Sequence, residues 1–600
     1  MCKYILERIS VQPNQLSAES IRTQLRKILS SSTFARSERL ARFLNFTIDE
    51  TLEGRGDQLK EFVIGVEVFD KTERYDPRMD PIVRVEARRL REKLRKYYET
   101  EGREDPLYIE FPTGSYAPVV QTRNSVAASG PAGAAVENAI AVLPFANLSS
   151  EQENEYFSDG LTEELINALT KVDGLRVVAW STAFQLKGKA RDIRRIGEQL
   201  RVRAVLEGSV RRTCDRLRIT AQLLDTKDGH YLWSETYERP IKDVFAIEDE
   251  ISSAIVGALR IKLTGPAGRS LITRYTENLQ AYHLYFKGRF YWNKRTEEDF
   301  YKALGYFEQA IQIDPNHAPA YAGMADCYIM LGEHGSVPAL SIMRKARASA
   351  SRALEIDPRL AEAHVSLGTV AALYEWKWQE AEGHFRRALE LNPSYATAHH
   401  WYGYDYLAPQ GRLDEAIAEL ERAHHLDPLS LIIMTCLGTL HDMARQYKRA
   451  CECYGKVFDI DPGFVRAYLS AGRSYLHQDM PREAIASFEK ARELMPNSPV
   501  PLALLAHAYN VVGARAEADR LRHALDRCAR TCCVSSYLMA RAYLGFDHDR
   551  AFELLEKALE ERDPRLAHIN VSPIWDGVRS DPRFAVLVGR MGLTVPEPVP

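Results

Sequence analysis

Six hundred residues exceed what one hydrophobic core organises, so several domains are expected. The composition is that of a soluble protein, 45% hydrophobic and 27% charged with a formal net charge of −3. No window of about 18 apolar residues is present to span a membrane. The start, MCKYILERISVQPNQ, puts charges where a signal peptide needs an apolar run. Nine cysteines, mostly in helical-looking segments, fit reduced thiols in a cytoplasm better than a disulfide framework.

The head, residues 1–120, reads as helices followed by a hairpin. A helix is expected around Ile21–Leu29, and a second, amphipathic one over Ser37–Gly54 with Leu40, Phe43, Leu44 and Ile48 on one side. Lys60–Phe69 makes a shorter helix. Asp80 then suits a cap and Pro81 the first turn of a helix over Ile82–Tyr98. Leu107–Phe111 and Tyr116–Val120 are extended runs joined at residues 112–115. Between Arg84 and Lys96 stand Arg84, Arg88, Arg89, Arg91, Lys93, Arg95 and Lys96 against only Glu86 and Glu92. At 100° per residue Val83, Ala87, Leu90 and Leu94 form a buried stripe, and Arg84, Arg88, Arg91 and Arg95 a second stripe about a quarter turn away. A helix built this way can pack on its own domain and lie in a major groove, where the arginine fork suits guanine or phosphate. The bland alternative is a solvated basic helix that only aids solubility.

Val83-Arg84-Val85, Leu90-Arg91-Glu92-Lys93-Leu94 and Gly114-Ser115-Tyr116 resemble the winged-helix effector domain of OmpR/PhoB-type response regulators. The resemblance implies a winged helix-turn-helix head that binds double-stranded DNA. Arg84, Arg88 and Arg91 are then groove or phosphate contacts, and Thr113 and Gly114 the wing tip; Arg89 and Arg95, on the same basic helix, complete the candidate DNA-binding set. Two departures stand out: no four-stranded sheet precedes the first helix, and no acidic receiver domain precedes the head.

Residues 121–138, QTRNSVAASGPAGAAVEN, are small, polar and Gly/Ala/Ser-rich and read as a flexible linker. Residues 139–263 alternate strands and helices, a small α/β domain. Ile140–Phe145, Leu175–Ala179 and Ala204–Val210 are expected strands, and a helix is expected to start at Asp159. The alternation Leu217, Ile219, Ala221, Leu223, the pair Tyr231 and Trp233, and Asp228-Gly229 between them signal a hairpin. IAVLPFANLS, FSDGLTEELINAL, LEGSVRR and LWSETYER look like the TolB-like amino-terminal domain, which implies a fold and a neighbourhood rather than a reaction.

In the C-terminal half a proline recurs at Pro315, Pro358, Pro393, Pro428, Pro462 and Pro496, at intervals of 43, 35, 35, 34 and 34 residues. Twelve positions before each stands Ala303, Ala346, Ala381, Ala416, Ala450 or Ala484. Apolar residues follow four and seven later, so all three share one helix face. The spacing resembles the tetratricopeptide repeat, whose period is 34. It predicts an all-α solenoid of seven or eight repeats over 275–565, with an insertion around Glu333–Ile342 and a cap and tail over 566–600. An unrelated helical bundle is the alternative.

No phosphate-binding loop, H-E-x-x-H or paired C-x-x-C pattern occurs, so no catalytic residue, cofactor or metal is expected. Cys451, Cys453, Cys528, Cys532, Cys533, His399-His400 and His424-His425 fall in repeat helices and read as packing residues. Chains with such modules sometimes carry a class III adenylate cyclase domain. These three regions leave no segment for one, and Phe458-Asp459-Ile460-Asp461 sits at a repeat boundary. The leading expectation is a bacterial transcriptional regulator that binds DNA with its head and a protein or peptide with its solenoid. The rival is a tetratricopeptide scaffold that never touches DNA.

Overall fold

A computed structural model describes residues 18–35, 37–53, 55–56, 59–72, 75, 82–103, 105–111, 116–122, 136–149, 153–170, 172, 174–188, 192–213, 216–240, 243–258, 275–334, 337–531 and 534–594. The chain forms two compact units, Met1–Ala134 and Ala135–Pro600.

The first unit holds four helices, α1 (Ala18–Ser30), α2 (Glu38–Leu52), α3 (Glu61–Glu67) and α4 (Ile82–Glu99), and a two-stranded antiparallel sheet of β1 (Leu107–Glu110) and β2 (Val119–Thr122). The apolar stripes meet as their spacing requires: Phe43, Leu44 and Ile48 of α2 pack with Val83, Ala87, Leu90 and Leu94 of α4, all buried. β2 lies further along the chain than the extended run at Tyr116–Val120. Pro118 has no N–H to give a ladder, so pairing starts at Val119. Tyr116 instead donates its hydroxyl to Glu61 at 2.8 Å. A buried carboxylate ties the unit together. Asp105 accepts from Gln24 Nε2 (2.5 Å), from Tyr97 Oη (2.6 Å) and from Lys27 Nζ. Burial pushes its pKa up, but these hydrogen bonds outweigh that and hold it below the usual carboxylate value.

The second unit begins with a mixed sheet in the order β5-β3-β6-β7-β8: β3 (Val136–Val142), β5 (Arg176–Val177), β6 (Val202–Thr213), β7 (Arg216–Asp225) and β8 (Tyr231–Pro240), with β4 (Ala146–Asn147) beside β6. β3 runs parallel to β5 and β6, while β6, β7 and β8 are antiparallel. Gly229 holds a positive φ of 78° in the turn before β8, which explains the Asp-Gly signal. The helices of this region are α5 (Glu153–Thr170), α6 (Trp180–Phe184), α7 (Ile193–Leu200) and α8 (Val244–Ala258). Leu161 and Leu165 of α5 and Ile251 of α8 share a core with Ile140, Leu206 and Ile219 of the sheet. Asp159 does not start a helix as its acidic neighbours suggested. It lies inside α5, buried, and accepts from Lys187 at 2.6 Å. Strands also reach both ends of the segment expected as a linker, at Thr122 and Val136; residues 123–135 lie outside the described ones.

Eight antiparallel helix pairs follow among the described residues: α9 and α10 (Leu279–Asn293, Glu297–Ile313), α11 and α12 (Ala318–His334, Ala339–Ile356), α13 and α14 (Ala361–Val370, Trp378–Leu391), α15 and α16 (Ala396–Trp401, Leu413–Leu426), α17 and α18 (Leu431–Met443, Tyr447–Ile460), α19 and α20 (Val465–His477, Pro481–Leu494), α21 and α22 (Pro499–Val511, Arg515–Thr531), and α23 and α24 (Ser536–Tyr543, His548–Glu560). The result is a mostly helical tetratricopeptide solenoid beside a small mixed sheet. The six alanines of the repeat are all fully buried, as their assignment to helix contacts requires. Gly438 and Gly472 seat the rings of Tyr454 and Phe488, which any Cβ there would strike. The 43-residue interval is not taken up by a loop alone, because α11 and α12 run to 17 and 18 residues. Two first helices end in π-helical turns, Ala371–Glu375 and Tyr402–Leu407, a widening that spacing does not reveal.

Candidate nucleic-acid helix and repeat groove

Helix α4 carries the residues expected to meet DNA. Its apolar stripe is committed to the head's core, which fixes the rotation of the helix. Arg89 extends into solvent with 64% of its side chain exposed and pairs with Glu86 at 2.7 Å. Arg91 is part-buried: its Nε donates to the Phe111 carbonyl at 2.8 Å and its guanidinium lies 5.9 Å from the Phe111 ring centre. Lys93 donates to the Thr33 carbonyl at 2.6 Å and to the Ser37 hydroxyl. Two cations of the basic run thus brace the helix against the hairpin and the α1–α2 turn. Glu101 strengthens that turn by accepting from both the hydroxyl and the backbone N–H of Thr33 and of Ser32, which holds its carboxyl down at about 2. The side chains of Arg84, Arg88 and Arg95, and the residues Thr113 and Gly114, lie outside the described ones.

In the solenoid the first helices of successive pairs stack on one another and form the inner wall. Two other parts of the same unit pack against the repeats. The C-terminal segment adds 3₁₀ turns at Pro564–His568 and Pro573–Val578 and a helix, α25 (Pro582–Arg590). His568 Nε2 lies 2.8 Å from the Tyr404 carbonyl, Asn570 donates to the Pro409 carbonyl at 2.8 Å, and Trp378 Nε1 donates to the Met591 carbonyl at 2.8 Å. The two π-helical turns are where this segment docks, and Tyr404 belongs to one of them.

Two contacts between the α/β domain and the solenoid are the most extensive. Glu163 of α5 pairs with Arg289 of α9 at 2.9 Å, both largely buried. Gly160 lies against the Phe286 ring so closely that a Cβ would collide with it. The second lies at the turn after α16. In four other repeats the Asp or Asn at the boundary accepts the N–H two residues on: Asp314 from Asn316, Asp357 from Arg359, Asn392 from Ser394 and Asp461 from Gly463. At Asp427 the hydroxyl of Thr182 enters the turn, donating to the carboxylate at 2.6 Å and accepting the Leu429 N–H at 2.8 Å. Ser181 donates to the same carboxylate, Gln185 Nε2 donates to the Leu429 carbonyl (2.6 Å), and the Ala179 N–H donates to the Leu426 carbonyl (3.0 Å).

The described histidines and cysteines of the repeat helices have these surroundings. His399 lies 2.6 Å from Glu419 and 2.9 Å from the Pro393 carbonyl. Burial pushes the His400 ring down to about 3. Cys451 and Cys453 lie in α18 and Cys528 in α22, while Cys532 and Cys533 lie outside the described residues. Asp461 closes its own repeat turn. No helix among the described residues is long and apolar enough to cross a membrane.

Comparison with known proteins places two family models on the chain. Residues 136–253 match the second domain of HilA/YgeH-like transcriptional regulators, and residues 295–336 match a tetratricopeptide repeat. A Rhizobium meliloti (strain 1021) protein named "Putative adenylate cyclase 3" is 38% identical over 231 residues, 38% of this chain and 39% of that protein. The transcriptional regulator HilA of Salmonella typhimurium is 23% identical over 313 residues, 51% of this chain and 54% of that one. The chain thus spans about two fifths to half of these relatives. Among solved structures, YrrB, a tetratricopeptide protein with an unusual peptide-binding site, aligns at 22% identity and a TM-score of 0.23, covering 32% of this chain and 92% of that one. The sheet domain is therefore similar to a domain of HilA-like transcriptional regulators, and tetratricopeptide repeats follow it.

Proposed function

We propose that this chain is a bacterial transcriptional regulator, acting in the cytoplasm, that binds DNA through its head and a protein or peptide through its solenoid. The observation that carries the reading is α4. Its apolar stripe is spent on the head's core, and Arg84, Arg88 and Arg95 follow at spacings that set them apart from that stripe. The similarity of residues 136–253 to a domain of transcriptional regulators supports the same assignment. On this reading the head is a winged helix of OmpR/PhoB type and the hairpin β1–β2 its wing, with Thr113 and Gly114 at the tip. Arg84 and Arg88 reach base edges. Arg89, Arg91 and Arg95 meet the backbone, Arg91 after exchanging the Phe111 carbonyl for phosphate. The TolB-like sheet domain, docked on the solenoid, relays or spaces. No catalytic step is assigned to any part.

Selection of duplex DNA from a random pool by the full chain, at two salt concentrations, tests this. Arg84→Ala or Arg88→Ala should cost about 1–3 kcal/mol and relax preference at one or two base pairs. Arg95→Ala should weaken all sequences alike and flatten the salt slope by about one unit. A folded chain that enriches no sequence, with an affinity indifferent to these changes, would leave the scaffold reading in its place.

A further inference from the structure

Guanidinium groups from distant parts of the chain come near one another on the solenoid: Arg466 and Arg565 both approach Glu333, and Arg541 feels the charges of Arg473 and Arg565. Arg466 and Arg473 come from α19, Arg541 from α23 and Arg565 from the C-terminal segment. The protein supplies them with few acids. Arg565 pairs with Asp563 at 3.2 Å and donates to the Glu333 carbonyl at 2.5 Å. Arg466 has Glu333 at 3.9 Å, and Arg473 donates to the neutral Ser470 hydroxyl at 2.8 Å. Among the described residues no ion pair engages Arg473 or Arg541.

Arg541 is the strongest sign. It is only 4% exposed, and its Nε and Nη2 have no hydrogen-bond partner. An isolated buried cation is expensive, and a protein ordinarily pairs it. Burial, together with repulsion from Arg473 and Arg565, pushes its pKa down to about 10. The acids around these arginines are Asp563, Glu333 and Asp405, and burial drives the carboxyls of Glu333 and Asp405 up. The cluster is also reachable from solvent, since the Arg466 side chain keeps 42% of its surface.

We propose that this cluster is a binding site for a small organic oxyanion, a polycarboxylate or a phosphate monoester. Arginine forks converging from separate elements suit planar, bidentate recognition of such groups. A small ligand is favoured over an extended peptide because the C-terminal segment already docks at the end of one first helix, on Tyr404, and on the turn beyond it, at Pro409. A bound oxyanion bridges the repeats that carry Arg466, Arg473 and Arg541 to the segment that carries Arg565. Effector binding would thereby tighten the closure of the solenoid. None of this depends on DNA binding by the head.

The test uses the full chain with inorganic phosphate and with citrate, against chloride at matched ionic strength, read by thermal unfolding and titration calorimetry. At least one probe should bind saturably and raise the unfolding temperature beyond chloride. Arg541→Met and Arg466→Gln should each weaken that probe about tenfold or more, the scale for losing a charged hydrogen bond. A response to citrate alone or to phosphate alone supports the site and identifies the headgroup it takes. If Arg541→Met does not fold, the exposed Arg466→Gln carries the comparison. The proposal is overturned if neither probe exceeds chloride, or if the response survives unchanged in the folded variants.

Discussion

Replacing Thr182 with Val should loosen the α/β domain from the solenoid, by an amount that the turn at Asp427 lets one work out. Val keeps the shape of Thr but loses the hydroxyl, and with it the bonds to Asp427 and from Leu429. Each is worth about 1 kcal/mol net, or about 1.5–3 kcal/mol when one partner is charged. Part of the loss is recoverable. Once the hydroxyl is gone, Asp427 can take the Leu429 N–H itself, as Asp314, Asp357, Asn392 and Asp461 do in their own repeats. The expected cost of Thr182→Val is therefore about 1–2 kcal/mol. Asp427→Ala has no such escape. It removes the acceptor of the Ser181 and Thr182 hydroxyl protons and should cost about 2–4 kcal/mol. Urea unfolding of the full chain, with hydrogen exchange over residues 425–431, measures both. The two changes share a bond, so the double variant should fall short of additivity by at least about 0.5 kcal/mol. Costs within about 0.5 kcal/mol of zero for both single variants, or strict additivity, would refute the inserted-hydroxyl account.

In the head, Asp105 has a lowered carboxyl pKa, so its contribution is complete above the unfolded value of about 4 and is lost as pH falls through the folded value. Asp105→Asn should destabilise the head at neutral pH by about 2–4 kcal/mol and flatten its acid unfolding curve; an unchanged curve would remove the hub role. In the solenoid, Ala416→Phe or Ala450→Phe should cost about 1–3 kcal/mol by forcing paired helices apart, measured by thermal unfolding. Neutral results at both positions would undercut the assignment of these alanines to helix contacts.

Period made the solenoid legible. Each repeat states its own helix faces within about 34 residues, so Ala303 through Ala484 identify the buried seams without any tertiary information. The head's core was readable for the same reason, since Val83, Ala87, Leu90 and Leu94 obey helical spacing. Arg91 and Lys93 show where such reading stops. Both look like free surface cations by periodicity, yet one is engaged by Phe111 and the other by Thr33 and Ser37, contacts that only the folded head creates. Asp427 is similar. Its Asp-Pro context matches the other boundaries, and nothing local distinguishes the turn that Thr182, 245 positions earlier, enters. Nor does any spacing bring Arg466, Arg541 and Arg565 near one another. That juxtaposition depends on the curvature of the whole solenoid and on the return of its last segment.

That return also limits where a protein partner can bind. Trp575, Phe584 and Leu587 of the C-terminal segment are fully buried in one core with Phe488, Leu505 and Leu555 of the later repeats. Each large apolar side chain taken out of water contributes about 1.5–3 kcal/mol. A partner that entered the inner wall by expelling the segment would have to offset several such burials before gaining anything. For the protein or peptide partner proposed above, the second helices and the turns between repeats are the surfaces that need no such expulsion. The chain itself demonstrates that mode: α6 of the sheet domain and the residues flanking it dock on the inter-repeat turn Leu426–Leu429 through the Ser181 and Thr182 hydroxyls, the Gln185 amide and the Ala179 N–H. At another turn the same kind of contact forms without opening it: Asp357 stays closed on the Arg359 N–H with one oxygen and accepts the Tyr275 hydroxyl at 3.0 Å with the other.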